Sequence, residues 1–203
     1  GEVPVTVKCR IGIDEQEPIE VLPRFLETVA NAGVRVVTIH ARKAWLQGLS
    51  PKENRTIPPL DHDLVVAMKA RFPEMTVAIN GGITDLAMTR DFLARGLDGV
   101  MIGRAAYHSP AILGTADRVI YGEQAADVEA EDAVRAMLPY IEGERSAGTP
   151  LAAITRHMLG AFTGRPGARR WRRILSEEAH RPGAGPDLVE RALAAVEPSA
   201  EAA

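Results

Sequence analysis

The chain has 203 residues, 46% of them hydrophobic and 25% charged, with a formal net charge of -3. This composition excludes a disordered or collagen-like chain, and the length suits one large domain or one domain with an appendage of about 80 residues. No apolar run approaches the roughly 18 residues a membrane span needs. No basic-then-apolar leader opens the chain, and the single cysteine, Cys9, suits a reducing compartment, so a cytoplasmic location is expected.

The chain opens on Gly1, and Pro4–Lys8 already reads as a buried strand, so it is expected to begin inside a larger fold. Val5–Lys8 is followed by a helical stretch from Pro18 to Ala32, with Val21, Leu22, Phe25, Leu26 and Val29 at helix spacing and Gly33 as its stop. Strands are then expected at Val34–His40, Thr76–Asn80 and Gly99–Ile102, with helices at Leu64–Arg71 and Asp85–Arg95 between them. This βαβαβαβ alternation predicts a parallel sheet with helical crossovers. Periodicity leaves open whether the four strands are half of a (β/α)₈ barrel or an open doubly wound sheet.

After Gly122 the strand-like runs stop. Helices are expected over Val128–Ser146, Leu151–Thr163, Ala168–His180 and Pro186–Val196, separated by glycine- and proline-rich turns, with Ala200–Ala203 as a frayed tail. The expected domains are therefore residues 1–122, a parallel α/β unit, and residues 123–203, a small all-α unit. Neither half is basic, yet Arg145–Arg181 holds eight arginines against two glutamates. Arg169 and Arg173 fall opposite the Trp171/Ile174/Leu175 face of their helix, with Arg170 and Arg172 on its flanks. Such a cluster suits phosphate-backbone recognition; the plainer reading is a solvated helix face in an arginine-rich half that contains no lysine.

Chemistry-bearing residues gather at strand ends, where α/β folds place their sites. His40 closes the second strand and opens a long loop to Arg55 that sets Arg42, Lys43, Lys52 and Arg55 around Trp45. A histidine there is commonly a core residue bonded to backbone, and its place at the strand mouth is the argument for function. Asn80-Gly81-Gly82 and Gly103-Arg104 close the next two strands. Each glycine pair alone is a tight turn; at neighbouring strand ends they free backbone N–H groups for an anion, so a phosphate-bearing ligand is expected. Lys8, aligned with buried strand residues, must reach the mouth or pair with an anion. No HExxH, CxxC, GxSxG, Walker or paired-carboxylate pattern occurs, so metal, hydrolytic and NTPase chemistry are not expected.

Val7-Lys8-Cys9-Arg10-Ile11-Gly12, His40–Arg55, Ile79–Ile83 and Gly99–Arg104 resemble the tRNA-dihydrouridine synthases, the A-type subgroup above all. The segments His40-Ala41-Arg42-Lys43-Ala44-Trp45 and Leu49-Ser50-Pro51-Lys52-Glu53-Asn54-Arg55 are the most specific. Arg156-His157-Met158-Leu159-Gly160 and Pro166-Gly167-Ala168-Arg169 resemble the subgroup's C-terminal RNA-binding domain. The resemblance implies the C-terminal half of an FMN-dependent (β/α)₈ TIM barrel followed by a helical tRNA-binding domain. It implies reduction of D-loop uridines to 5,6-dihydrouridine around tRNA positions 20 and 20a, with NADPH reducing the flavin. Matched by position, Lys8, His40, Asn80, Gly81, Gly82, Gly103 and Arg104 are the expected FMN contacts. Arg42, Lys43, Trp45, Lys52, Asn54 and Arg55, with Arg165, Arg169, Arg170, Arg172 and Arg173, are the expected tRNA contacts.

The family's catalytic cysteine and first four strands precede the segment matched here, so no catalytic residue is expected in this chain and the chain alone is expected to be inactive. Cys9, next to Lys8 on a strand, should face the helical layer if Lys8 faces the barrel mouth. The full-length protein is expected to be a monomer without metal or membrane partner. The competing readings are an FMN-dependent dehydrogenase of a small molecule such as dihydroorotate, a stand-alone RNA-binding module, and a phosphate-binding α/β isomerase or lyase.

Overall fold

The computed structural model of the protein describes residues 3–196, which fall into two compact units divided between Gly103 and Arg104. The tail expected at Ala200–Ala203 lies outside the described residues.

In the first unit, four strands, β1 (Thr6–Arg10), β2 (Val36–His40), β3 (Thr76–Asn80) and β4 (Gly99–Met101), form one all-parallel sheet in the order β1-β2-β3-β4. The crossovers carry α1 (Pro18–Asn31), α2 (His62–Arg71) and α3 (Leu86–Ala94). The parallel α/β sheet expected from the alternation is present, and it is the arrangement of a partial TIM barrel. Proline at the start of α1 costs no hydrogen bond there. Asp61 caps α2 by accepting from Leu64 N at 2.9 Å, and Asp85 caps α3 by accepting from Met88 N at 2.8 Å.

Strand alternation then sorts the side chains. Val37, Ile39, Val77 and Ile79 are fully buried with Leu22, Leu26, Val65, Met68 and Phe92 of the helices. Each such side chain contributes about 1.5–3 kcal/mol by leaving water. The other sheet face carries Lys8, Thr38, Ala78 and Gly99 in one row and Arg10, His40, Asn80 and Met101 in the next. Lys8 is exposed on it.

In the second unit every regular element among the described residues is helical. These are α4 (Arg104–His108), α5 (Ala116–Tyr121), α6 (Ala130–Ala136), α7 (Leu138–Ser146), α8 (Leu151–Thr155), α9 (Ala168–Glu178) and α10 (Pro186–Ala194), with a 3₁₀ turn at Pro110–Leu113. The division at Gly103 places residues 104–122 with these helices, upstream of the boundary expected at 122. Trp171 and Phe162, both fully buried, meet edge to face at 5.0 Å between ring centres, with Ile141, Leu151 and Val189 around them. Trp171 Nε1 donates to Met158 O at 3.1 Å, which satisfies its one polar group.

Two helices differ from expectation. Residues 128–146 break at Met137 into α6 and α7, because Pro139 has no N–H to donate and its ring crowds the preceding turn. Residues 151–163 are helical only to Thr155, after which His157, Met158, Ala161 and Thr163 bond three residues back rather than four. No helix among the described residues is long and apolar enough to cross a membrane.

Candidate functional site

Four parallel strands end level with one another. Arg10 of β1 pairs in register with His40 of β2, His40 with Asn80 of β3, and Asn80 with Met101 of β4. Asn80 Nδ2 donates to Met101 O at 2.8 Å, so its side chain bridges two strand ends. Gly81 and Gly82 follow with φ of +113° and +71°, values that L side chains rarely adopt. A Cβ on Gly81 would stand 2.6 Å from His40 Cδ2, and one on Gly82 2.5 Å from Leu60 Cδ1. The turn is therefore a backbone cradle packed on the imidazole of His40. His62 Nε2 lies 2.8 Å from Gly81 O and steadies it from the start of α2. His62 carried no sequence signal, since its role depends on a partner nineteen residues away.

The loop after β2 is ordered by its own polar groups. Asn54, a buried residue, accepts from Trp45 N at 2.7 Å and donates to Trp45 O at 2.7 Å and to Leu49 O at 3.3 Å. Ser50 and Glu53 bond each other reciprocally, Ser50 N to Glu53 Oε2 at 2.8 Å and Glu53 N to Ser50 Oγ at 3.3 Å, the pattern of a capping box. Hydrogen bonds from the Ser50 side chain and backbone hold the Glu53 carboxyl below its ordinary value. Arg10 reaches from β1 to Lys43 O at 2.7 Å and Asn54 O at 2.8 Å. Burial, and then the charges of Arg42 and Arg55, lower the Arg10 pKa.

The loop after β1 joins this frame. Asp14, at φ +46°, accepts from Leu46 N at 2.8 Å, Ala44 N donates to Gly12 O, and Ile13 bridges to Ala44 in parallel.

Within the loop the expected tRNA contacts separate into two groups. Arg42 is buried and donates to Thr56 O and Pro58 O, and Asn54 is spent on the loop's backbone. Lys43, Trp45, Lys52 and Arg55 reach the surface, with Lys43 Nζ 5.3 Å from the centre of the Trp45 ring. A similar division holds in the second unit. Arg165 forms a two-bond ion pair with Glu131, at 2.9 and 2.5 Å, and lies 5.3 Å above the Phe162 ring. Arg169, Arg170 and Arg173 are exposed on α9 and Arg172 is half-buried; none of the four has a carboxylate partner among the described residues.

Cys9 faces the helical layer, packed with the core of the first unit, and burial raises its thiol to about 11. The orientation expected from its place beside Lys8 is the one observed. Among the described residues no group of three or more His, Cys, Asp or Glu side chains could hold a metal ion. Gly103 and Arg104 follow β4 after Ile102, on either side of the division between the units, and Arg104 opens α4.

A sequence model of the family described as Dihydrouridine synthase (Dus) matches residues 1–197. The tRNA-dihydrouridine(20/20a) synthase of Yersinia pestis is 55% identical over 198 residues, covering 97% of this chain and 57% of that protein. The protein of the same name from Escherichia coli K12 is 55% identical over 192 residues, covering 94% of this chain and 55% of that one. That from Vibrio cholerae is 52% identical over 196 residues, covering 96% and 60%. The chain thus spans a little over half the length of these curated relatives. A solved structure of the RcsB response regulator of Salmonella typhimurium covers 78% of this chain at 13% identity and a TM-score of 0.28, a likeness too low to bear on the fold. The match of a family model over nearly the whole chain, with relatives above half identity along it, makes this chain a member of the dihydrouridine synthase family.

Proposed function

We propose that this chain supplies the later half of an FMN-dependent TIM barrel and a helical tRNA-binding domain of a tRNA-dihydrouridine synthase. The full protein would reduce D-loop uridines around positions 20 and 20a, with NADPH as reductant, as a monomer in the cytoplasm. One observation carries the reading: His40 and Asn80 end neighbouring strands in register, and Asn80 is followed by two glycines whose left-handed backbone leaves no room for a side chain.

The residues present fit the flavin. Lys8 carries a cation on the mouth face of the sheet, suited to the negative charge of a reduced ring. Gly81 and Gly82 offer backbone N–H groups with no Cβ in the way, and Gly103 precedes the helix that Arg104 opens after the next strand. A bound FMN supplies the hydride that reduces the C5–C6 bond of uracil. Around it, His40 fixes the cradle turn and Asn80 ties it to β4. Arg10, Arg42 and Asn54 shape the neighbouring loop so that Lys43, Trp45, Lys52 and Arg55 face tRNA. Cys9 has no part in protonating uracil C5: it faces the helices, and burial makes its thiol a weaker acid.

On α9, Arg169, Arg170, Arg172 and Arg173 would meet tRNA phosphates, while Arg165 supports the fold through Glu131. The test is dihydrouridine formation on unmodified tRNA by the full gene product that carries this chain. The purified protein is expected to be yellow and to lose FMN more readily as Arg104→Ala. Arg169→Ala/Arg170→Ala/Arg173→Ala should weaken tRNA binding and flatten its salt dependence by about 0.7–0.9 per lost contact. A colourless protein that takes up no FMN on titration overturns the flavin reading, and an unchanged salt slope in the triple variant reduces the cluster to a solvated face.

A further inference from the structure

The second unit contains a cavity of about 350 Å³ whose lining is unusual for a chain of net charge -3. Tyr107, His108, Arg156, His157, Thr163 and Arg172 face it, and no carboxylate does. Tyr107 is 54% exposed, yet its ring is held in place. Its hydroxyl lies 2.9 Å from His157 Nδ1, and Arg156 Nε donates to His157 Nε2 at 3.0 Å. Because the arginine can only donate, His157 Nε2 accepts, so Nδ1 carries the hydrogen and donates to the tyrosine oxygen. His108 and His157 rings flank Tyr107 edge-on, at 5.7 and 5.9 Å between centres.

The backbone beneath is equally fixed. A Cβ on Gly160 would stand 2.5 Å from His108 O, and Thr163 Oγ1 donates to the same oxygen at 2.7 Å. Arg172, half-buried at the cavity wall, has neither an ion pair nor a hydrogen bond among the described residues. Its guanidinium at the cavity wall can therefore donate to an anion seated there.

A fixed exposed aromatic ring, two arginines and no acid make a site for an anion that also carries a flat ring. We propose that this cavity seats one unpaired nucleotide of the RNA substrate, its base stacked on Tyr107 and its phosphate met by Arg172 and Arg156. The proposal rests on the reading of the chain as part of a tRNA-binding enzyme and adds to it a defined pocket. Arg169, Arg170 and Arg173 follow the backbone without regard to base pairing, whereas this seat, with Arg172, requires a base free of its helix.

The experiment uses the full gene product and unmodified tRNA in which uridines are replaced by 4-thiouridine. Irradiation should attach RNA to the tryptic peptide spanning residues 105–118, which holds Tyr107 and His108 as its only aromatic residues. Tyr107→Ala should weaken tRNA binding about 5- to 150-fold, and Tyr107→Phe, which keeps the ring, should recover most of the loss. Arg172→Ala should weaken binding and lower the salt slope by about 0.7–0.9. Unchanged near-ultraviolet circular dichroism from the buried Trp171 would show that the fold is intact. If the wild-type protein binds tRNA while Tyr107→Ala and Arg172→Ala bind it equally well and no cross-link forms in this peptide, the seat is refuted and the tRNA reading stands. If the wild-type protein binds no tRNA, both fall.

Discussion

Asn54→Ala removes three hydrogen bonds from one buried amide, at 2.7, 2.7 and 3.3 Å, and leaves Trp45 N and O without their partners. At about 0.5–1.5 kcal/mol each, with the two short bonds carrying most, the local loss is about 2–3 kcal/mol. The loop lies outside the sheet's apolar core, so the loss should appear as local opening rather than global unfolding. Amide exchange at Trp45 should then accelerate roughly 30- to 150-fold, at about 1.4 kcal/mol per factor of ten. Exchange at Val77 and Ile79, in the fully buried strand β3, should hardly change. A second probe follows from there being two tryptophans: with fluorotryptophan incorporated, the ¹⁹F resonance of Trp45 should shift or broaden while that of Trp171 stays. Asn54→Asp should be no better than alanine, since it keeps the acceptor for Trp45 N but turns an anion toward the Trp45 and Leu49 carbonyls. Unchanged exchange at Trp45 in Asn54→Ala would refute the account of the loop as held from Asn54.

Three further outcomes are expected. Gly81→Ala forces a side chain onto a backbone at φ +113° and into His40; it should cost about 1–3 kcal/mol, visible as a lower Tm, and an unchanged Tm would show that the turn relaxes freely. Cys9 should react with a thiol reagent at pH 8 far more slowly in the folded protein than in denaturant, because burial raises its pKa to about 11. Its raised value adds stability fully present below the ordinary thiol value and lost as pH rises toward 11, and rapid labelling of the folded protein would contradict this orientation. Glu131→Gln should lower stability by about 1–2 kcal/mol at pH 7, since it breaks a two-bond ion pair that holds the Glu131 carboxyl below its ordinary value through the Arg165 hydrogen bonds. The difference from wild type should persist above the ordinary glutamate value and disappear as pH falls through the lowered one; a difference independent of acid would point to packing instead.

The strands and the crossover helices were legible because their signals are local. Val36–Ile39 is a continuous β-branched run and Thr76–Ile79 is broken only by Ala78, and Asp85 marks a helix start by its own side chain. The strand-end positions of His40, Asn80, Gly81 and Gly82 followed from the same pattern. What stayed hidden depends on partners far along the chain. Arg165 reads as one more cation until Glu131, thirty-four residues earlier, takes both its nitrogens. Arg42 and Asn54 sit among surface cations in sequence yet turn inward, because the long loop needs donors for its own carbonyls. The helices at residues 104–121 were missed for another reason: α4 has five residues and α5 six, too short for a 3.6-residue period to show.

The bonds joining the loops after β1 and β2 make those two loops a single exchangeable cassette. Gly12 and Ala44, Asp14 and Leu46, and Arg10 with Lys43 and Asn54 are stitched across, so neither loop has a complete set of backbone partners by itself. Transplanting the 40–55 segment alone onto another parallel barrel would leave the Leu46 N–H and the Lys43 and Asn54 carbonyls without acceptor or donor, and the graft would fray. Moving Arg10–Gln16 with it carries the stitches along. Variation that reshapes the 40–55 loop is therefore constrained by a neighbouring loop outside it, and substitutions at Asp14 should be readable in the behaviour of Trp45.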